Sequence, residues 1–289
     1  MKEIVKEKIA SLLSGDEEIQ SVEQLGGMTN QNYLVKTSSN QYIVKFFGKG
    51  TDKLIDRQNE KFNLELLKDL KLDVENYLFD IEAGIKVNQY IENAETFDST
   101  IIKTKFEKIA PILQTIHSSG KELRGEFAPF EEIKKYESLI QGEIYYPNYE
   151  AVRKSVFSLK EELEQIGIEK KSCHIDLVPE NFIEAADGHL YLIDWEYSSM
   201  NDPMWDLAAL FLESEFTPEE EEDFLAHYES EETPVSREKI RIYKILQDII
   251  WSLWTIYKEE NGADFGDYGI SRYNRAVKEL NSIGGSDEN

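Results

Sequence analysis

The chain has 289 residues, of which 57 are acidic and 32 basic, giving a formal net charge of −25. A field of that sign argues against nucleic acid and anionic membrane as partners and favours a small cation. A single cysteine excludes an intrachain disulfide. No apolar run reaches membrane-spanning length, and the Met-Lys-Glu start lacks the apolar stretch of a signal peptide, so a cytoplasmic protein without membrane insertion is expected.

With 40% hydrophobic residues the chain can bury a sizeable core. The first thirteen residues read as a short amphipathic helix carrying Ile4, Val5, Ile9, Leu12 and Leu13 on one side. Strand periodicity follows. Ile19 to Leu25 leads into the loop Gly26-Gly27-Met28-Thr29-Asn30-Gln31-Asn32, and Tyr33 to Thr37 and Tyr42 to Phe47 form a hairpin around Ser38-Ser39-Asn40. A Gly-Gly loop between strands lets backbone amides approach phosphate oxygens, which makes Gly27, Thr29, Asn30 and Asn32 candidate nucleotide contacts. Lys45 lies in the apolar strand after that loop, where its ammonium reaches phosphates. The helix from about 55 to 70 offers Glu60 to pair with and orient Lys45, with Glu65 a weaker competitor.

Two more strands, Tyr77 to Phe79 and Gly84 to Ile91, precede a hinge at Gln89 to Asn93, where the backbone of Gln89, Tyr90 and Ile91 can meet an adenine edge. The expected division is a nucleotide lobe over 1–91 and a catalytic and acceptor lobe over 92–289. In the second, helices are predicted over 99–118, 130–141, 148–166, 203–213, 217–232, 236–260 and 268–283, with a disordered tail after them. The segment from Ile240 to Tyr257 is apolar almost all round, which marks a buried helix. The acidic run 219–223 is read as a solvated helix face, and Cys173 as a small core residue.

Between these helices stands His174-x-Asp176, followed by Asn181 and, thirteen residues on, Asp194. A turn at Ala186-Asp187-Gly188 folds the intervening residues into a hairpin, which brings Asn181 and Asp194 to one end. The pattern is similar to the apparatus of kinase-like phosphotransferases, which need a carboxylate aimed at the acceptor hydroxyl and oxygen ligands holding Mg²⁺ against ATP phosphates. His174 is expected to support the loop by packing and hydrogen bonding rather than to transfer protons.

Trp251 and Trp254 are three apart and so share a helix face. With Tyr197, Tyr268 and Glu213 as counter-charge they make an aromatic box suited to a quaternary ammonium.

Gly26-Gly27-Met28-Thr29-Asn30, His174-x-Asp176-x4-Asn181, Ile193-Asp194-Trp195-Glu196-Tyr197-Ser198, Asp206-x6-Glu213, Trp251-x2-Trp254, and Asp267-Tyr268 with Arg272-Tyr273 together resemble the choline/ethanolamine kinase family. The resemblance spans nearly the whole chain. It implies an α+β, two-lobed protein-kinase-like fold, shared with aminoglycoside phosphotransferases, with a small antiparallel N-lobe and a mainly helical C-lobe. It also implies ATP and Mg²⁺ as cofactors and choline as the small-molecule substrate. Residue by residue, it assigns Asp176 as base, Asn181 and Asp194 as metal ligands, Lys45 to the nucleotide phosphates and Glu60 as the family's helix carboxylate. Glu196, Tyr197, Glu213, Trp251, Trp254 and Tyr268 fall to the substrate. Ethanolamine is the closest rival acceptor, and an aminoglycoside met by the acidic helix is the next.

Overall fold

The computed structural model describes residues 2–9, 17–27 and 30–284. The predicted helical residues 10–13, Thr29 of the glycine loop and the C-terminal tail from 285 lie outside them. The chain packs into two compact units, Met1–Asp98 with Pro179–Tyr197, and Ser99–Val178 with Ser198–Asn289. The expected single cut at residue 91 thus differs from the packing in two ways. The division falls seven residues later, and the 179–197 hairpin groups with the N-terminal residues.

The first unit opens with helix α1 (Lys2–Ile9), followed by strands β1 (Ile19–Gln24), β2 (Gln31–Thr37) and β3 (Gln41–Phe46). Helix α2 (Arg57–Leu67) and strands β4 (Asn76–Asp80) and β5 (Ile85–Gln89) come next. The five strands form an antiparallel sheet in the order β1-β2-β3-β5-β4. Side chains alternate across it. Tyr42 and Val44 of β3 join Tyr33, Val35, Ile85 and Val87 in a core closed by Val5 and Ile9 of α1. Lys45, out of phase with that face, lies opposite Lys86 of β5 in register, and both ammonium groups are buried. The side chain of Asp56 caps α2 by accepting from the Gln58 and Asn59 amides.

A second sheet of this unit joins β6 (Glu95–Thr96), β8 (Phe182–Glu184) and β9 (Leu190–Leu192). Strands β8 and β9 are the hairpin expected between Asn181 and Asp194. Its turn closes through Gly188, which adopts φ +86°.

In the second unit the predicted 99–118 helix is a 3-10 turn, Ile102–Thr104, followed by α3 (Phe106–His117). Helices α4 (Pro129–Leu139) and α5 (Tyr149–Ile166) are next in sequence. The short strands β7 (Lys171–Cys173) and β10 (Ser199–Asn201) pair with each other and bracket the 174–198 segment. Then come α6 (Pro203–Glu213), α7 (Pro218–Tyr228), α8 (Arg237–Glu260) and α9 (Tyr268–Gly284).

The central element is α8, about 36 Å long at 1.5 Å per residue. It is buried almost without interruption from Lys239 to Tyr257, and α4, α5, α6 and α9 pack on it. In α7 the inward residues are Phe224, Leu225 and Tyr228, while Glu219, Glu222 and Asp223 face solvent, the solvated-face reading of that run.

Helix α9 crosses α8 closely because Gly269 has no side chain. A Cβ there meets Thr255 Cβ at 2.9 Å and crowds the Tyr146 hydroxyl still more. Gly269→Ala is expected to lower stability by about 1–3 kcal/mol, since overpacking outweighs the helix-propensity gain of roughly 1 kcal/mol. A thermal melt showing Gly269→Ala at or above wild type excludes this packing.

Candidate active site

The glycine loop, Lys45 and the hairpin bearing Asn181 and Asp194 belong to the first unit. The glycine loop is drawn closed where the Leu25 amide donates to the Asn32 carbonyl at 2.8 Å and Asn32 Nδ2 donates to the Gly26 carbonyl at 2.9 Å. A Cβ at residue 27 meets the Asn30 carbonyl at 2.5 Å, so only glycine fits there. Asn32 pairs across the sheet with Lys45, which sets the lysine beside the loop.

Lys45 Nζ donates to Asp194 Oδ1 at 2.7 Å, a pair largely shielded from water. Asp194 itself sits at φ +69°, a left-handed conformation that non-glycine residues adopt sparingly and mostly where function demands it. The Asn181 carbonyl accepts from the Ile193 amide at 2.9 Å, so the β8–β9 hairpin closes with Asn181 and Asp194 at its open end. An amide oxygen and a carboxylate are hard donors that fit Mg²⁺.

Glu60 does not orient Lys45. Its carboxylate is held by Lys86 Nζ at 2.8 Å and by Arg57 Nη1 at 2.7 Å. Arg57 also donates to Glu196 Oε2 at 2.9 Å and to Asn30 Oδ1 at 3.0 Å, while Asn30 Nδ2 donates to Glu196 at 2.6 Å. This buried network corrects two expectations. Glu60 braces the sheet against α2, and the Glu196 carboxylate is committed to Arg57 and Asn30 rather than offered to an ammonium. Burial pushes Glu196 above the usual carboxylate range against the pull of Arg57, whereas Lys86 and Arg57 overcome burial to hold Glu60 below it.

Arg57 was missed in the sequence, although a buried cation in the first turn of a helix opposes the macrodipole and so signals a partner. Asp73 was missed as well. Burial pushes it up to about 6, against the pull of Lys86, its own bond from the Val74 amide, and Lys45. Gln89 Oε1 accepts from the Glu75 amide at 3.2 Å. Tyr90 and Ile91 follow β5 half-buried, as is Tyr197 in the 3-10 turn Trp195–Tyr197.

Asp176, Asp206 and the indoles of Trp251 and Trp254 belong to the second unit. Asp176 follows Ile175, a β-branched residue at φ +78° and fully buried. Such strain, on the order of 1–3 kcal/mol, persists only where neighbours over-determine the backbone. Asp206, in the first turn of α6, provides this. Its Oδ2 accepts from the His174 amide and its Oδ1 from the Ile175 amide, both at 2.8 Å, and Trp205 Nε1 donates to the Ile175 carbonyl at 3.0 Å.

His117 Nε2 meets Asp206 Oδ2 at 3.1 Å and Nδ1 meets the Tyr228 hydroxyl at 2.7 Å. A carboxylate only accepts, so Nε2 carries the proton and the tyrosine donates to Nδ1. His117, Cys173 and Asp206 have ligand atoms within 4.8 Å of one another, but these bonds already use them, and burial holds Cys173 as a thiol bonded to the Asn201 carbonyl.

Trp251 and Trp254 stand edge to face with centroids 6.4 Å apart. Phe265, not anticipated from the sequence, lies 4.9 Å from Trp254 and 6.4 Å from Tyr268, which completes an aromatic wall. Lys258 Nζ sits over the Trp254 ring at 5.7 Å. Burial raises the Tyr268 phenol well above its ordinary value, and the charge of Asp176 adds to the rise, which sets the carboxylate within electrostatic reach of the wall. Glu213 is not a free counter-charge, because Arg272 donates to its carboxylate.

Residues 22–277 match the choline/ethanolamine kinase family. Protein LicA of Haemophilus influenzae is 31% identical over 268 residues, which covers 89% of this chain and 100% of that protein. The crystal structure of choline kinase LicA from Streptococcus pneumoniae superposes with a TM-score of 0.95 at 76% identity, covering 98% of this chain and 99% of that one. A structure of LicA in complex with AMP matches at TM-score 0.92 and 78% identity, with 97% and 98% covered. The match takes in the glycine loop, Lys45, Asp176 and the aromatic wall, and the chain belongs to the choline/ethanolamine kinase family.

Proposed function

We propose that the protein is an ATP- and Mg²⁺-dependent choline kinase that transfers the terminal phosphoryl group to the choline hydroxyl and releases phosphocholine. The observation that carries the reading is the aromatic wall of Trp251, Trp254, Phe265 and Tyr268 in the same unit as Asp176, with the carboxylate's charge felt at Tyr268. Trimethylammonium asks for π faces, each worth about 0.5–2 kcal/mol, and has no N–H to satisfy. The AMP held by a LicA structure supports an adenine nucleotide as donor.

Asp176 accepts the hydroxyl proton as the oxygen attacks, and Asp206 fixes the backbone that aims it. Lys45 offsets charge developing on the phosphoryl oxygens. Asn181 and Asp194 would hold Mg²⁺, which would supply charge neutralisation at the phosphates. Four residues separate Asp176 from Asn181, so one short stretch of chain carries both the acceptor's base and the first metal ligand.

ADP release measured side by side with choline, ethanolamine and an aminoglycoside tests the reading. Choline is expected to give the highest kcat/KM, and a preference for either rival rejects it. In the same assay Trp254→Ala is expected to raise the KM for choline far more than it lowers kcat, as loss of binding that acts before chemistry does.

A further inference from the structure

We propose that Arg272 sets the preference for a quaternary over a primary ammonium by keeping the carboxylates behind the aromatic wall occupied. This rests on the choline-kinase reading above. A primary ammonium carries three N–H donors that need acceptors once water is stripped away, whereas trimethylammonium needs none. Selectivity therefore turns on whether the box offers a free anionic oxygen.

Two acids lie close enough to do so. Glu213, the last residue of α6, accepts from Arg272 Nη2, and Asp248 of α8 takes Arg275 in a two-pronged pair, Nε and Nη2 each at 2.6 Å. Arg272 Nε adds a contact to Asp248 at 3.4 Å. Two carboxylates thus face two guanidiniums, and the group is electrically closed. Arg272 is 5% exposed, with its guanidinium carbon 5.0 Å from the centre of the Tyr268 ring. One face of Tyr268 already holds a cation. Burial favours the neutral form of Glu213, and the charges of Arg272 and, to a lesser degree, Arg275 oppose it, so a guanidinium still faces the acid when Arg272 is removed.

Removing the guanidinium frees Glu213 to accept from an N–H donor. Steady-state kinetics of Arg272→Met with choline and ethanolamine are expected to show the choline-to-ethanolamine ratio of kcat/KM falling about tenfold or more, the worth of one charge-assisted hydrogen bond. Arg272→Lys, which keeps a cation, should stay near wild type. Arg272→Met/Glu213→Leu, which also removes the acid, should return the ratio toward wild type.

A measurement without substitutions covers the case in which Arg272→Met does not fold. Tetramethylammonium is expected to inhibit wild-type choline turnover at lower concentration than methylammonium. An unchanged ratio in Arg272→Met, a double variant that still leans to ethanolamine, or equal inhibition by the two ammonium ions overturns the inference. A wild-type protein that does not turn over choline defeats the underlying function instead.

Discussion

Asp176→Ala is expected to lower kcat by about 10²- to 10⁴-fold, the usual worth of a positioned general base, while leaving the affinity for choline within a few fold. The reasoning separates two roles of the same loop. Binding energy comes from aromatic faces on α8, on α9 and at Phe265, none of which the substitution touches. The proton acceptor acts only as the oxygen attacks, so its loss appears in kcat and kcat/KM together. ADP release gives the first quantity, and quenching of Trp251 and Trp254 fluorescence on titration with choline gives the second. Retention of normal turnover by the alanine variant shows that the base lies elsewhere.

Asp206→Ala is expected to do wider damage. Three buried donors, the amides of His174 and Ile175 and His117 Nε2, converge on this one carboxylate. Each orphaned donor costs about 1–3 kcal/mol, so the sum takes a large part of the roughly 5–15 kcal/mol that holds a domain together. The loss also releases Ile175 from its left-handed conformation. The alanine variant should melt at much lower temperature or fail to fold.

Asp206→Asn keeps one acceptor oxygen. It should fold, exchange the amides of His174 and Ile175 faster than wild type, and lose more than about tenfold in kcat with KM little changed, because a displaced base affects chemistry rather than capture. Slow exchange at both amides together with full turnover in Asp206→Asn would show that the loop is held by other means.

The elements readable from sequence were those whose period is long or whose turn is chemically marked. The segment 236–260 is one helix as expected because its apolar positions recur from Ile240 to Tyr257, and the β8–β9 hairpin announced itself through Asp187-Gly188. What could not be read depends on register. Glu60 takes Lys86 rather than Lys45, yet the two lysines are directly opposed across β3 and β5, and only strand pairing decides which of them α2 reaches.

The same holds for charge. Glu213 and Glu196 look like counter-ions in sequence because Arg272 and Arg57, which claim them, are 59 and 139 residues away. Strands β6, β7 and β10, two or three residues long, carry no period to detect. Phe265 sits outside any helix and so escaped the search for residues three or four apart. Asp206 was visible as part of a motif, but its task is to grip backbone amides, which leave no trace in residue identity.

Because residues 179–197 pack with the N-terminal hundred while their flanks pack with the remainder, the polypeptide passes from one body to the other three times. No single cleavage or stop codon yields either body whole. A product ending at residue 98 lacks the strand whose Phe182 carbonyl receives the Phe97 amide, and lacks the carboxylate that pairs with Lys45. Shuffling one half between relatives as a contiguous cassette is therefore barred by topology. Exchange has to carry the inserted hairpin along or be confined to individual side chains.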